Sequence, residues 1–255
     1  MPKALRSATS IGLVAATLSL AAPALAQDAA PAACPVQEFA MGLRYQQQSA
    51  EVRALQLQGY ALARANLEAA IAKAGSPAGL AVVSDLDETA IDNSALLVRD
   101  MQKCHVYDTW DTWGDWELRG KPTPIPGALE FFDFADKVGV AIYYISDRFG
   151  EPENKAATIA TLKELGFPQV SDETVLLYGT SKAERRAVVS KDHKIVLLLG
   201  DTLHDFDGVF RKAPTDVKRA EVDKNAAHFG ADWIVFPNST YGDWSTAPLT
   251  AWDAE

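Results

Sequence analysis

Two carboxylates follow an apolar run in the first half of the chain. The run over residues 80–83 ends in Ser84-Asp85-Leu86-Asp87-Glu88-Thr89. A turn at the end of a strand would aim Asp85 and Asp87 at one water-accessible volume. Their mutual repulsion needs either a divalent cation or two pKa values pushed apart. Asp-x-Asp with Thr89 two residues on is typical of aspartyl-phosphate chemistry, although an acidic, solvated turn would also explain so short a motif.

Polar residues also follow other apolar runs of the sequence. Ligands of an open parallel sheet bind beyond the carboxyl ends of its strands, so these residues are expected to face the same crevice as Asp85. The groups are Ser146-Asp147-Arg148, Gly179-Thr180-Ser181-Lys182 and Gly200-Asp201-Thr202-Leu203-His204-Asp205.

Apolar runs alternate with helix-like stretches over most of the chain. This alternation predicts an α/β fold, with a mostly parallel sheet, helices on both faces and right-handed crossovers. After the run at 80–83, the runs are 138–145, 175–178, 195–199 and 233–236, and the helix-like stretches are 128–137, 154–165, 182–189 and 216–229.

Two segments do not follow this alternation. The N-terminal part, 37–76, has a helical pattern over 37–73 that predicts two helices or one long bent helix, ended by Gly75 and Pro77. Segment 94–125 contains three tryptophans followed by prolines, and we interpret it as a cap-like insertion. At 255 residues the chain predicts a single folded domain over 37–255.

The N-terminus has the pattern of an export signal. Residues 1–26 combine early positive charge, an apolar core and an Ala-Leu-Ala cleavage site, and 27–36 resemble a flexible leader. We therefore expect a periplasmic or secreted protein. Cys34 and Cys104 could form a disulfide or remain two thiols. Lipid anchoring at Cys34 is not favoured, because no aliphatic residue stands three positions before it.

The overall charge limits the partners of the protein. A formal net charge of -10 and a pI near 4.9 argue against a nucleic-acid polymer, whose binding relies on Lys and Arg. No segment beyond the N-terminal thirty residues is apolar enough for stable membrane insertion. Small anions remain suitable partners, and the sequence leaves a homodimer open.

The motifs together resemble those of haloacid dehalogenase (HAD) phosphatases. Within that superfamily, the chain is similar to bacterial class C acid phosphatases, the lipoprotein 5'-nucleotidase family. The resemblance implies a HAD-like Rossmannoid core with a small, mainly helical cap made by the N-terminal helices and the insertion. The matching segments are 85–94, Tyr45…Ser49-Ala50-Glu51…Ala54-Leu55, Ser146, Lys182, Gly200-Asp201…Asp205-Phe206, Pro126-Gly127-Ala128 and Pro237-Asn238-Ser239-Thr240-Tyr241-Gly242.

The resemblance implies a Mg²⁺-dependent hydrolase of small phosphomonoesters. Asp85 would attack phosphorus, and Asp87 would protonate the leaving oxygen and then activate water. Ser146 and Lys182 would bind phosphoryl oxygens. Hard oxygen ligands suit Mg²⁺. The implied ligands are the Asp85 carboxylate, the Asp87 backbone carbonyl and the Asp201 carboxylate, with Asp205 either supporting or ligating.

Further side chains have two interpretations each. The resemblance assigns Trp113 and Tyr241 to a sandwich around the ring of a substrate such as a 5'-nucleotide, whereas an aromatic stripe is more often core packing. Arg148, Arg185 and Arg186 could add positive charge at the site or form surface ion pairs. Phosphoryl transfer to an alcohol acceptor and non-catalytic nucleotide or phosphate binding stay open as alternatives to hydrolysis.

Overall fold

The structure is a computed structural model that describes residues 34, 39–106 and 109–252. The predicted signal peptide, 1–26, lies outside the described residues. So does the predicted leader, 27–36, apart from Cys34.

The strands form one parallel five-stranded sheet and one small antiparallel pair. The larger sheet has the order β5-β4-β1-β6-β7, and each neighbouring pair in it is parallel. The pair consists of β2 and β3. The predicted α/β fold is confirmed. The strands are β1 (Leu80–Ser84), β2 (Ile91–Asp92), β3 (Thr123–Pro124), β4 (Ala141–Ile145), β5 (Val175–Leu176), β6 (Lys194–Gly200) and β7 (Trp233–Val235).

The helices follow the predicted pattern, with one difference at the end of the chain. The N-terminal helical segment is two helices, because Ser49 is extended (φ −75°, ψ 130°) and its side chain caps the second helix. The stretch predicted as 216–229 is helical only to Lys224, where Asn225 caps the last turn. The helices are α1 (Ala40–Gln48), α2 (Ala50–Ala74), α3 (Ser94–Gln102), α4 (Asp111–Arg119), α5 (Ala128–Lys137), α6 (Pro152–Glu164), α7 (Lys182–Val189) and α8 (Thr215–Lys224).

The helices cover both faces of the parallel sheet. Alternate residues of β1 point to opposite faces, so Val82 packs with α2 and α5, and Val83 packs with Val189 of α7. The larger core, on the α2 and α5 face, includes Tyr60 and Phe132. With both faces apolar, β1 is buried along its whole length and presents its polar groups only where it ends.

Helices α1, α3 and α4 pack together into a small unit that we call the cap. Its shared apolar contacts are made by Leu43, Leu96, Leu97 and Trp113, and Tyr241 of the C-terminal segment joins them. The cap is held to the loops that follow the parallel strands, because Glu117 of α4 accepts a hydrogen bond from the backbone N–H of Phe149, after β4. The insertion therefore lies at the end of the sheet where ligands bind in folds of this kind.

Cys34 and Cys104 are joined by a disulfide in this structure. The bond connects residues 70 apart and fixes Cys34 beside the end of α3, one of the cap helices. Of the two arrangements left open by the sequence, the structure has the paired one. Within residues 34, 39–106 and 109–252, no helix has the length and apolar character that crossing a bilayer requires.

Candidate active site

Four charged side chains meet where β1, β6 and α7 converge. The Lys182 ammonium lies 2.7 Å from Asp85 Oδ1 and 2.5 Å from Asp205 Oδ1. Asp85, Asp201 and Asp205 each offer one carboxylate oxygen within 4.8 Å of the others. The sequence predicts that these residues face one crevice, and the structure brings them together there.

The charges in this cluster do not cancel. If Asp85, Asp201 and Asp205 were all ionised, the single ammonium of Lys182 would leave two negative charges uncompensated. Burial, and then Asp205, raise the pKa of Asp201 to about 8. Burial likewise raises the pKa of Asp85, although Lys182 opposes this shift. Burial alone would lower the pKa of Lys182, but Asp205 and Asp85 raise it, so the ammonium stays charged.

The loop after β1 fixes the position of Asp85. The Asp85 backbone N–H donates to the Leu199 carbonyl at 2.9 Å, which extends the pairing of β1 with β6 by one residue. The chain then turns around the Leu86 carbonyl, which accepts from the backbone N–H groups of Thr89, Ala90 and Ile91. Asp85 therefore leaves a rigid strand end and enters a tight turn.

The turn requires an uncommon backbone conformation at Glu88. Its φ is 55°, in the left-handed region that non-glycine residues seldom adopt, at a cost of about 1–3 kcal/mol. The Glu88 side chain is buried and accepts from the Asn93 backbone N–H at 2.8 Å and from the Tyr241 hydroxyl. These bonds hold the strained residue in place, and burial raises the pKa of Glu88 to about 8.

The loop after β6 places Asp205 by close packing. Asp205 Oδ2 accepts from the backbone N–H and the hydroxyl of Thr202, at 2.9 and 2.8 Å. A Cβ on Gly200 would stand 2.4 Å from the Asp205 side chain, so only glycine fits here. Lys182, on the other side of Asp205, is the first residue of α7, whose start is fixed by a capping box between Ser181 and Glu184.

Asp87 belongs to a second, adjoining set of contacts. Its carboxylate accepts from Ser146 Oγ at 2.9 Å, from Asn93 Nδ2 at 2.9 Å and from two nitrogens of Arg148. The structure thus places the predicted phosphate-binding Ser146 beside Asp87. Its hydroxyl would have to turn from Asp87 to meet a phosphoryl oxygen.

Arg148, Arg185 and Arg186 are buried, so the interpretation that they form surface ion pairs is wrong for all three. Their exposed fractions are 3% for Arg148, 6% for Arg185 and 8% for Arg186. Arg185 donates to the carbonyl of Ser146, directly after β4, and to that of Leu176, the last residue of β5, and it pairs with Asp147. Arg186 donates to the carbonyls of His204 and Asp205. An arginine after a strand or inside a helix can be buried or exposed. The sequence positions of these residues therefore did not predict that they are buried.

Trp113 and Tyr241 lie side by side at the base of the cap. Their ring centroids are 5.7 Å apart and their planes meet at 86°, an edge-to-face contact. Two rings that sandwich a third need about 7 Å between parallel planes. The rings as they stand pack against each other, so a sandwich requires one of them to move. The Trp113 indole N–H is buried and has no hydrogen-bond partner within the described part of the chain.

Asn238 supports the site without belonging to its central cluster. Asn238 Nδ2 donates to Asp201 Oδ2 at 2.7 Å, while its Oδ1 accepts from the backbone N–H groups of Thr240 and Tyr241. Asn238 therefore orients a carboxylate of the cluster and shapes the loop that carries Tyr241. Asn238, Asn93 and Glu88 each lie within a segment that resembles the family, but that resemblance did not give them separate roles.

The cluster fits a hard divalent cation. Asp85, Asp201 and Asp205 supply carboxylate oxygens, which Mg²⁺ prefers, and a divalent ion would balance the two excess negative charges. The Asp87 carboxylate is outside this group, since it faces Arg148. Of the metal-binding residues implied by the resemblance, Asp85, Asp201 and Asp205 would therefore bind through their carboxylates. Asp87 would bind through its backbone carbonyl alone.

One family model and two solved structures match this chain. The family model for the HAD superfamily, subfamily IIIB (Acid phosphatase), matches residues 4–244. A class C acid phosphatase from Bacillus anthracis is 37% identical over 83% of this chain and 88% of that chain, with a TM-score of 0.77. The structure of the Bacillus anthracis class C enzyme with tungstate bound has the same identity and coverage and a TM-score of 0.76.

Glu117 connects the cap to the loop that follows Ser146. It is 3% exposed, and besides the Phe149 N–H it accepts from Asn154 Nδ2 at 2.9 Å. Burial raises its pKa to about 7, although Arg148 opposes the shift. Folding therefore favours the protonated carboxyl group, whereas the unfolded chain ionises near its ordinary pKa of 4.5.

Glu117→Gln should reduce the pH dependence of stability. As pH rises from about 4.5 to 7, the unfolded chain releases a proton that the folded chain keeps, so the free energy of unfolding falls. We expect wild type to lose up to about 3 kcal/mol more than Glu117→Gln over this range, measured by urea unfolding. Glu164→Gln, at the exposed end of α6, should follow wild type. Identical pH dependence in wild type and Glu117→Gln would contradict this account.

Proposed function

Because the chain belongs to subfamily IIIB of the HAD superfamily and is an acid phosphatase, we propose that Asp85 is its nucleophile and Asp87 its general acid and base. The observation that supports this most directly is the position of Asp85. It is 6% exposed, at the carboxyl end of the central strand, with the Lys182 ammonium 2.7 Å from its carboxylate.

In the first step, a carboxylate oxygen of Asp85 attacks phosphorus and the bond from phosphorus to the ester oxygen breaks. The electron pair leaves with that oxygen, which takes a proton from Asp87. Lys182 holds Asp85 and offers positive charge to a phosphoryl oxygen, and Ser146 donates to another. These roles use the observed neighbours, since Lys182 contacts Asp85 and Ser146 contacts Asp87.

In the second step, water attacks the aspartyl phosphate. Asp87, now ionised, takes a proton from the water as the new bond to phosphorus forms, and the bond from Asp85 to phosphorus breaks. The products are inorganic phosphate and free Asp85. Asp87 is suited to both steps, because it lies beside the cluster but pairs with Arg148, whereas Lys182 pairs with Asp85.

We propose Mg²⁺ as the metal, bound by Asp85, Asp201, the Asp87 backbone carbonyl and either directly or indirectly by Asp205. When bound, it would shield the repulsion between the carboxylates and the phosphate dianion. The excess negative charge of the cluster supports this, as does the raised pKa of Asp201, which a cation would reverse.

We propose 5'-nucleotides as the preferred substrates. Trp110, Trp113 and Tyr241 form an aromatic group at the cap, with Trp110 44% exposed and 5.6 Å from Trp113 between ring centroids. A base could stack there, at roughly 1–3 kcal/mol per base. It could also accept a hydrogen bond from the Trp113 indole N–H, which has no partner among the described residues. Stacking tolerates many bases, which would suit a broad specificity.

Export follows as part of the same proposal. The pattern of residues 1–26 supports it, and so does the Cys34–Cys104 disulfide, since such bonds persist in oxidising compartments. With its sulfur in the disulfide, Cys34 has none free for a lipid. Mass spectrometry of the protein from its native cells should find a chain that begins at Gln27 without lipid, whereas a chain beginning at Met1 would contradict export.

Phosphate release from a panel of 5'-nucleotides and 4-nitrophenyl phosphate tests the chemistry. Activity should disappear with EDTA, return with Mg²⁺, and fall to background in Asp85→Asn, because the amide cannot attack phosphorus. Asp201→Asn should need more Mg²⁺ for the same rate. Retained activity in Asp85→Asn would exclude the proposed nucleophile, and activity that is unchanged by EDTA would exclude the metal.

The same panel tests the ring-binding residues with a matched pair of variants. Trp113→Leu removes the ring and should lower kcat/KM for nucleotides about 10-fold or more, while that for 4-nitrophenyl phosphate changes less. Trp113→Phe keeps a ring and should lie between wild type and Trp113→Leu. Thermal unfolding must show that both variants are folded, since Trp113 is buried. Equal effects on all substrates would assign Trp113 to packing alone.

A further inference from the structure

Two side chains that have no role in the proposed reaction steps enclose the Asp87 carboxylate. Arg148 Nε lies 2.9 Å from Asp87 Oδ1 and 3.2 Å from Oδ2, and a second guanidinium nitrogen lies 2.8 Å from Oδ1. Asn93 Nδ2 lies 2.9 Å from the same Oδ1. We call Arg148 and Asn93 the Asp87 bracket.

The bracket is itself rigidly held. Asn93 is completely buried and Arg148 is 3% exposed. Asn93 Oδ1 accepts from Arg148 at 3.0 Å and from the Trp116 indole N–H at 2.8 Å, and its backbone N–H donates to Glu88. The planar guanidinium and amide groups are thus fixed against each other by hydrogen bonds of defined direction.

The bracket is distinct from the positive group that serves the nucleophile. Lys182 contacts Asp85 and Asp205, whereas Arg148 contacts Asp87 and Asn93. The protein therefore supplies a point charge to the attacking carboxylate and a directional fork to the other one. A fork fixes the orientation of a carboxylate, which a lone ammonium does not.

We propose that Arg148 and Asn93 are positioning residues that aim the Asp87 carboxyl group at the leaving oxygen of the substrate. This inference rests on the proposed function, in which Asp87 is the general acid. Proton transfer requires the two oxygens to approach within about 2.6–3.2 Å, and a free aspartate side chain samples several rotamers. The bracket restricts Asp87 to one of them.

Positioning of the Asp87 carboxyl group affects alkyl and aryl phosphates differently, which a purely structural role would not. The proton moves from the Asp87 carboxyl group to the ester oxygen as that oxygen leaves phosphorus. An alkoxide needs this proton, while 4-nitrophenolate is stable without it. Loss of the bracket should therefore harm alkyl phosphates much more than 4-nitrophenyl phosphate.

The experiment measures kcat/KM for propyl phosphate and 4-nitrophenyl phosphate in wild type, Arg148→Gln, Arg148→Lys and Asn93→Ser. Because kcat/KM ends at the first irreversible step, it reports the transfer to Asp85. We expect Arg148→Gln to lower the value for propyl phosphate on the order of 10²-fold, with a much smaller change for 4-nitrophenyl phosphate. Arg148→Lys should recover part of the loss, and Asn93→Ser should show the same selectivity.

Arg186→Gln is a matched control, since Arg186 is also buried but donates to the backbone carbonyls of His204 and Asp205. It should change both substrates by the same factor. A double-mutant cycle adds a second test, because Arg148→Gln should cost little when Asp87 is already Asn. Thermal unfolding checks that each variant is folded. If Arg148→Gln does not fold, the comparison is made with Arg148→Lys.

An equal loss on both substrates would overturn the inference, as would an undiminished loss in the Asp87→Asn background. If that happens while Asp85→Asn is inactive, the proposed function stands and the positioning role fails. If Asp85→Asn keeps wild-type activity, the proposed function itself has failed.

Discussion

The arrangement of like charges at the carboxyl end of β1 is the constraint on which the other features of the site depend. Buried anions are costly unless they are paired and hydrogen-bonded. Here α7 delivers the Lys182 ammonium to Asp85 and Asp205, and Thr202 and Asn238 satisfy the outer oxygens of Asp205 and Asp201. The protein compensates part of the negative charge and leaves a remainder that a divalent cation would balance.

The aromatic rings of the cap and the loop that carries Asp85 and Asp87 are supported by the same hydrogen bonds. Glu88, next to Asp87, accepts from the Tyr241 hydroxyl and from the Asn93 backbone, and Asn93 in turn bonds Trp116 of the cap. A movement of the cap rings would therefore also displace the loop that carries Asp85 and Asp87. Because Trp113 and Tyr241 now touch edge to face, binding of a base there would require such a movement.

The sheet, and the proximity of Asp85, Lys182 and Asp201, could be predicted from the sequence because both depend on local patterns. Apolar runs that end in polar residues identify strands and their carboxyl ends, and they led to Asp85, Lys182 and Asp201. The burial of Arg148 could not be predicted in this way, since its partners Asp87 and Asn93 are 61 and 55 positions away. The relative orientation of Trp113 and Tyr241 depends likewise on how the cap packs. The overestimated end of α8 arose because helix propensity continues past Asn225, whereas its capping bonds end the helix.

Trapping the covalent intermediate tests the central claim most directly. The enzyme would be quenched with acid during turnover of a phosphomonoester with Mg²⁺, reduced with borohydride and analysed by peptide mass spectrometry. Reduction converts an aspartyl phosphate to homoserine, so we predict homoserine at position 85, dependent on substrate and absent when EDTA replaces Mg²⁺. Rapid turnover with Asp85 unmodified, or with the label on another residue, would contradict the account.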